Sequence, residues 1–483
     1  MNKYLLSLIS LIFLGNTYAQ DQTNIIFILI DDQRYDFLSF LDHPWIETPN
    51  IDKLAANSIY MDKAYVTTSL CSPSRASILT GQYTHMHKVL DNDTPIPEDM
   101  TTFPQVLQKG GYTTAFIGKW HMGGSDDTAR EGFDHWVSFK GQGPYENPDL
   151  NINGQVSTIN GYTPDILTDQ AISFMANREN VSTPFFMYLS HKSIHEDFTP
   201  APRHEGVYKE VSIPEPDPEF EQNGKPDWVK RQRKSWHGAE RDYNILDYGS
   251  YQSFFQKYSE CMLAVDESVG KITDYLETTG QLEETVIIYF SDNGYMMGEH
   301  GLIDKRVMYE ESIRVPAFLH WPQKFPTPKR NADFFLNVDI GPTILDMAGI
   351  QVPTEMQGKS IYPRLQGQDS NWRTSFVYEY FNDPNAVQTP TMFGLRTQKY
   401  SYATYYGVWD LFELYDLEND PSQKMNLLGD INYGWGYGNF LKFVRLQQPD
   451  IYPIVERLDK ELEQELAAIN ASRTPVWKNK RGQ

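Results

Sequence analysis

Asn24-Ile25-Ile26-Phe27-Ile28-Leu29-Ile30-Asp31-Asp32 decides the fold. Its apolar run has no polar alternation, which predicts a strand buried on both faces, and it stops abruptly at two carboxylates. Three later runs repeat the pattern. Tyr112 to Ile117 passes into Gly118-Lys119-Trp120-His121, Pro184 to Leu189 into Ser190-His191, and Val286 to Phe290 into Ser291-Asp292-Asn293-Gly294. Helical patterns separate these runs, so the prediction is an α/β fold, a mostly parallel sheet covered on both faces. Open parallel sheets bind ligands beyond the carboxyl ends of their strands, so the polar residues that end each run are expected to share one crevice.

Between the first two runs lies Cys71-Ser72-Pro73-Ser74-Arg75. Ser72 suits an N-cap and Pro73 the first helical position, with Gly81 as the stop. Cys71 then sits at a helix mouth with Arg75 one turn on, a place that favours negative charge and predicts an acidic thiol. The only other cysteine, Cys261, falls on a helical pattern running through Tyr258, Met262, Val265, Val269, Ile272 and Leu276, and reads as an inert small hydrophobe. A Cys71–Cys261 disulfide is the structural alternative, and it excludes any nucleophilic role for Cys71.

After Gln366 to Asn371 the character of the chain changes. Ser375 to Phe381, Phe393 to Arg396, Lys399 to Tyr406 and Glu413 to Leu417 are aromatic, β-prone segments that predict a small antiparallel sheet, with a terminal helix over Val455 to Ile469. The expected division is a signal segment over 1–19, a catalytic unit over 20–368 and a C-terminal α+β subdomain over 369–483. The stretch from Phe198 to Ser250, rich in Pro, Trp and charge, reads as a solvated surface excursion or, alternatively, as a rim that grips substrate.

Met1 to Gln20 carries Lys3, an apolar run from Leu5 to Leu14 and the exit Thr17-Tyr18-Ala19. The run is too short to span a bilayer and reads as a cleaved secretory signal, which predicts a periplasmic or extracellular protein without a membrane span. The balance of 64 acidic against 42 basic residues gives a net charge of −22, which argues against nucleic acid as a partner. It leaves room for an anionic substrate, because salt limits the reach of a distant charge to about 3–8 Å between 1 M and 0.15 M.

Asp31, Asp32, Asp292 and Asn293 form a hard-oxygen set suited to Ca²⁺ or Mg²⁺, and three carboxylates brought together repel one another unless a cation joins them. Lys119 and His121 are two residues apart and share a face if strand geometry persists.

Cys71-Ser72-Pro73-Ser74-Arg75 resembles the C-x-P-x-R signature of the formylglycine-dependent (type I) sulfatases of the alkaline-phosphatase superfamily. The likeness extends through Asp31, Asp32, Gly118 to His121, Ser190 to His195, Asp292, Asn293 and Gly298 to Arg306, in the order that family uses. It implies an alkaline-phosphatase-like large mixed sheet sandwiched by helices, and conversion of Cys71 to formylglycine by a maturation enzyme. It also implies a divalent ion, Ca²⁺ before Mg²⁺, on Asp31, Asp32, Cys71, Asp292 and Asn293. In the family's mechanism the hydrated aldehyde at position 71, oriented by the metal and Arg75, attacks sulfur, while Lys119 and Lys305 balance charge on the sulfate. His195 protonates the departing oxygen, and His121 takes the proton that releases sulfate. Glu196-Asp197 stands where many members have an apolar residue and proline, so His191 remains a second candidate for the acid. His300 and Arg306 are either substrate contacts or structural.

The expected substrate is a sulfated carbohydrate, with algal ulvan, carrageenan or fucan fragments first and animal glycosaminoglycans second. Trp228, Trp236, Trp435 and Tyr437 are candidate stacking platforms for sugar rings. Two alternatives accompany this reading: a phosphonate or phosphate monoester hydrolase of the same superfamily, and a catalytically dead glycan-binding protein.

Overall fold

The computed structural model describes residues 23–178, 181–216, 224–239, 248–407, 412–429, 431 and 440–474. The signal segment, Trp435 and Tyr437 lie outside the described residues. Eight strands precede residue 292: β1 Ile25–Ile30, β2 Ile59–Tyr65, β3 Thr113–Lys119, β4 His135–Phe139, β5 Asp149–Ile152, β6 Gln155–Thr158, β7 Phe185–Ser190 and β8 Val286–Ser291. After them come the two-residue pair β9 Met296–Met297 and β10 Ile303–Asp304, then β11 Phe318–His320 and β12 Lys329–Leu336.

Ten of these make one sheet in the order β12-β2-β11-β8-β1-β7-β3-β4-β5-β6. The four runs singled out in the sequence are the adjacent strands β8, β1, β7 and β3, all parallel. β11 runs against both its neighbours, and β5 and β6 form an antiparallel margin, so the sheet is mixed but mostly parallel.

The strands are apolar throughout because both faces are covered. Along β1, Ile25, Phe27 and Leu29 enter one core while Ile26, Ile28 and Ile30 enter the other, all fully buried. Each such side chain contributes about 1.5–3 kcal/mol on burial. The first core takes helices Cys71–Thr80 and Ile340–Met347; the second takes the long helix Tyr251–Thr278, where buried Cys261 packs as the small hydrophobe expected. Cys71 and Cys261 are both free thiols, so the disulfide alternative is excluded.

A separate four-stranded antiparallel sheet follows, β13 Ser375–Tyr380, β14 Thr391–Thr397, β15 Tyr400–Tyr406 and β16 Phe412–Asp416. The last helix, Tyr452–Ala468, buries Val455, Leu458, Leu462 and Leu466 at the spacing of one helical face. Part of the 198–250 stretch is not the solvated excursion considered from the sequence. Trp228, Val229, Gln232 and His237 are buried, and Lys225 Nζ donates to the Tyr415 hydroxyl at 2.8 Å, tying the segment to β16. Among the described residues no helix is long and apolar enough to cross a membrane.

Candidate active site

Register brings the strand ends level. Gly118 of β3 and Leu29 of β1 both pair with Ser190 of β7, and Ile30 pairs with Ser291 of β8. The residues that follow therefore meet in one crevice, as the strand ends predict. Helix Cys71–Thr80 closes it from the side. It starts earlier than expected: Leu70 is the N-cap, Cys71 is the first helical residue, and Ser74 N–H donates to Leu70 O at 2.9 Å. Ser72 is not the cap. Its own N–H is satisfied by Asn92 Oδ1 at 3.1 Å, and its hydroxyl donates to His121 O at 2.7 Å. The helix ends at Gly81, whose φ of 62° permits the left-handed C-cap.

All ten residues of this helix are buried, and that reverses the expectation of an acidic thiol. Burial pushes Cys71 up to about 12 despite Lys119 and Lys305. Its Sγ lies 3.7 Å from Asp31 Oδ1.

The carboxylate oxygens of Asp31, Asp32 and Asp292 lie within 4.8 Å of one another. Asn293 donates from Nδ2 to Asp32 Oδ1 at 2.6 Å, while its Oδ1 is buried without a hydrogen-bond partner among the described residues. Burial raises Asp32 and carries Asp292 up to about 7, with Asp31 adding to both. Burial also opposes ionisation of Asp31, but Lys119, Arg75, His195 and Lys305 together hold it well below the usual range. Crowded carboxylates and an orphaned carbonyl oxygen suit a hard divalent cation, which takes several oxygen ligands and removes the repulsion. The residues fit the ion that the family implies.

Three cations interlock with these acids. Arg75 sits between Asp292 and the strand ends: Nε donates to Asp292 Oδ2 at 2.9 Å, and Nη1 to Lys119 O and Ser190 Oγ, each at 2.7 Å. Lys119 pairs with Asp31, and Lys305, which follows β10, reaches Asp32 Oδ2 at 2.6 Å. Burial opposes the charge on Lys305, but Asp32 carries it well above the usual lysine range.

The three histidines separate. His195 lies in the crevice: a ring nitrogen is within 4.8 Å of Cys71 Sγ and an Asp31 oxygen, Nε2 is 3.7 Å from Asp32 Oδ2, and Nδ1 meets Glu196 O. Burial, Lys119 and Lys305 hold it well below the usual histidine range. His121 is presented by a turn rather than by strand alternation, since β3 ends at Lys119 and His121 has φ 64°. Its Nδ1 is 3.3 Å from Ser72 Oγ, and burial with Lys119 and Arg75 lowers its proton affinity. His191 faces away from the crevice, its Nε2 3.0 Å from Ser268 Oγ on the long helix.

Arg306 is buried beside Asp304, with Asp383 at 3.7 Å and the Trp236 ring 5.8 Å away. His300 is buried against the Tyr309 ring at 4.1 Å. Trp228 is buried against Tyr405, so it offers no stacking platform, whereas Trp236 is 41% exposed. Sequence reasoning missed Asn92, which caps the helix from twenty residues away, and Tyr145, whose hydroxyl donates to His195 O at 2.7 Å. Neither carries a local signal.

A family model described as Sulfatase matches residues 23–350, and one described as N-sulphoglucosamine sulphohydrolase, C-terminal, matches 298–435. The chain belongs to the sulfatase family. It is a type I sulfatase, an enzyme that hydrolyses sulfuric esters. It is 34% identical over 469 residues to an N-acetylglucosamine-6-O-sulfatase of Bacteroides thetaiotaomicron, covering 85% of this chain and 83% of that protein. It is 31% identical to the human N-acetylglucosamine-6-sulfatase, covering 85% and 83%. A solved sulfatase complex with its substrate D-glucosamine-2-N,6-O-disulfate superposes with a TM-score of 0.82 at 31% identity, over 93% of this chain and 98% of that one.

Proposed function

We propose that this sulfatase removes the 6-O-sulfate of glucosamine residues in a sulfated glycan, using formylglycine derived from Cys71 and Ca²⁺. The observation that carries the catalytic reading is the meeting of Cys71, three carboxylates and the orphaned Asn293 Oδ1 in one crevice. The named substrates of the relatives favour glucosamine over algal polymers, which reverses the order expected from the sequence. An ulvan-active sulfatase of Formosa agariphila is also related, at 26% identity over 92% of this chain, and keeps ulvan as the second reading.

In this reading Asp31, Asp32, Asp292 and Asn293 hold the ion and Cys71 completes its shell. When bound, the ion would supply positive charge at the sulfate, and the modified side chain at position 71 would supply a hydroxyl nucleophile. Arg75 fixes Asp292 and the strand ends, and with a cation on the carboxylates Lys119 and Lys305 would be available to balance charge on the sulfate oxygens. An arriving anion raises the proton affinity of His195, and the protonated ring then donates to the departing sugar oxygen. His121, beside Ser72, accepts the proton that frees sulfate. The 1–19 segment directs export, a maturation enzyme oxidises Cys71, and the catalytic unit over 20–368 precedes the subdomain over 369–483.

The test is sulfate release by ion chromatography from N-acetylglucosamine 6-sulfate, ulvan, carrageenan and fucan fragments, with matured enzyme, Ca²⁺ and Cys71→Ala as control. Release from the glucosamine ester, absent in the control, is expected. Release only from an algal polymer, or no release from any of them by matured enzyme, overturns the proposal.

A further inference from the structure

Among the described residues Lys192, beside the crevice, forms no ion pair with a carboxylate, unlike Arg75, Lys119 and Lys305. It is 2% exposed, and among the described residues its ammonium makes no ion pair or hydrogen bond; that ammonium lies 4.2 Å from the centre of the Tyr145 ring. Burying a lysine this way is costly, and a cation–π contact offsets only about 1–2 kcal/mol of that cost.

The nearby acids are already engaged or directed elsewhere. Asp31 is taken by Lys119, and Asp197 is exposed to solvent; both act on Lys192 at a distance, but neither forms an ion pair with it. Glu196 accepts from the Tyr295 hydroxyl at 3.2 Å and faces the Lys305 side.

The main chain fixes Lys192 at the site. Asp31 N–H donates to Ser193 O at 3.0 Å, Ile194 N–H to Asp31 O at 2.7 Å, and His195 N–H to Lys192 O at 3.0 Å. Tyr145 links the ammonium to the acid, stacking under Lys192 while its hydroxyl holds His195 O. Lys192 thus stands on the leaving-group side. Among the side chains alone, Arg75 pairs with Asp292, Lys119 with Asp31 and Lys305 with Asp32, and Lys192 stands outside these pairs.

We propose that Lys192 receives a second anionic group, a sulfate or carboxylate carried by the alcohol that departs, so that the enzyme favours esters of alcohols that are themselves charged. The inference rests on the sulfatase reading of the crevice and adds a specificity-determining residue to it. Burial lowers Lys192 to about 8, consistent with a charge that lacks its partner until substrate arrives.

The test measures kcat and KM for two pairs of substrates in the wild-type enzyme and in Lys192→Met. One pair is N-acetylglucosamine 6-sulfate and glucosamine 2-N,6-O-disulfate; the other is phenyl sulfate and 3-carboxyphenyl sulfate, which poses the same charge difference without a sugar. The expected result is a loss of kcat/KM at least about tenfold greater for the charged member of each pair, expressed in KM, which corresponds to ~1.4 kcal/mol. The variant should melt no lower than wild type, because it removes an uncompensated buried charge. Equal losses on both members, no loss, or a marked fall in melting temperature with equal losses assigns Lys192 to packing against Tyr145 and overturns the proposal. Turnover of the aryl pair without any release from the sugars refutes the glucosamine reading while still deciding the role of Lys192.

Discussion

Gly118 is where the sheet and the chemistry are most tightly joined. Its φ is 123°, a region that L side chains rarely adopt, and an ideal Cβ built there would stand 1.8 Å from Ser190 O on β7. A carbon-to-oxygen contact needs about 3.3 Å, so Gly118→Ala must part β3 from β7 by roughly 1.5 Å or change the local backbone. The backbone strain costs about 1–3 kcal/mol and the overpacking about 1–3 kcal/mol, together a large share of the 5–15 kcal/mol typical of a folded domain. The displacement falls on Lys119, the next residue, and on Ser190, which holds Arg75 and Lys119 O. Misplacing reacting groups by about 1 Å costs on the order of a hundredfold in rate. Chemical denaturation should therefore show a loss of about 2–6 kcal/mol, and sulfate release at a temperature where the variant is still folded should fall about a hundredfold or more. Native stability with native turnover in Gly118→Ala would refute the account of how this strand end is built.

His195→Ala should depress turnover of sugar sulfates far more than that of activated aryl sulfates, since a basic alkoxide depends on the acid; the ratio of the two rates in wild type and variant decides it. His191→Gln should leave that ratio intact and change stability instead. Burial lowers His191 to about 4, so between pH 6.5 and 4 the unfolded chain binds the extra proton, and stability rises with pH across this window. Wild type should lose roughly 3 kcal/mol from this group on going from pH 7 to below 4, as read by denaturant titrations, and the variant should show a flatter acid limb. Chelation with EDTA should abolish turnover and lower the melting temperature of the matured enzyme, with both restored by Ca²⁺, because the crowded carboxylates lose their counter-charge.

The parallel sheet and most of the crevice were legible because their signals are local. Unbroken apolar runs such as Asn24–Ile30 declare burial on both faces, and a polar pair at the end of each marks where the strand stops. What misled was the environment of each motif. Leu70 has no capping side chain, so the helix start was read two residues late; the polar groups there are met by Asn92 and by the His121 carbonyl, partners that spacing does not reveal. The thiol was expected to be acidic from its helix mouth and Arg75, yet desolvation outweighs both. Tyr145 and Lys192 belong to different elements and meet only through the folded sheet. Trp228 resembled a surface aromatic in a charged stretch, and only the packing of that stretch on the small sheet buries it.

The sealed helix at Cys71 also imposes an order of events. The thiol is 0% exposed, with the whole first turn around it buried. If Cys71 is converted to formylglycine as proposed, the enzyme that oxidises it must take hold of the chain before Cys71–Thr80 docks, so that maturation would run in competition with folding. A molecule that folds first is shut in its unmodified form until the docked helix opens again, and in a stable core such openings are rare. The share of competent enzyme would then be set by relative rates rather than by affinity, and anything that hastens docking of that helix would yield more protein that is sound in structure and silent in function.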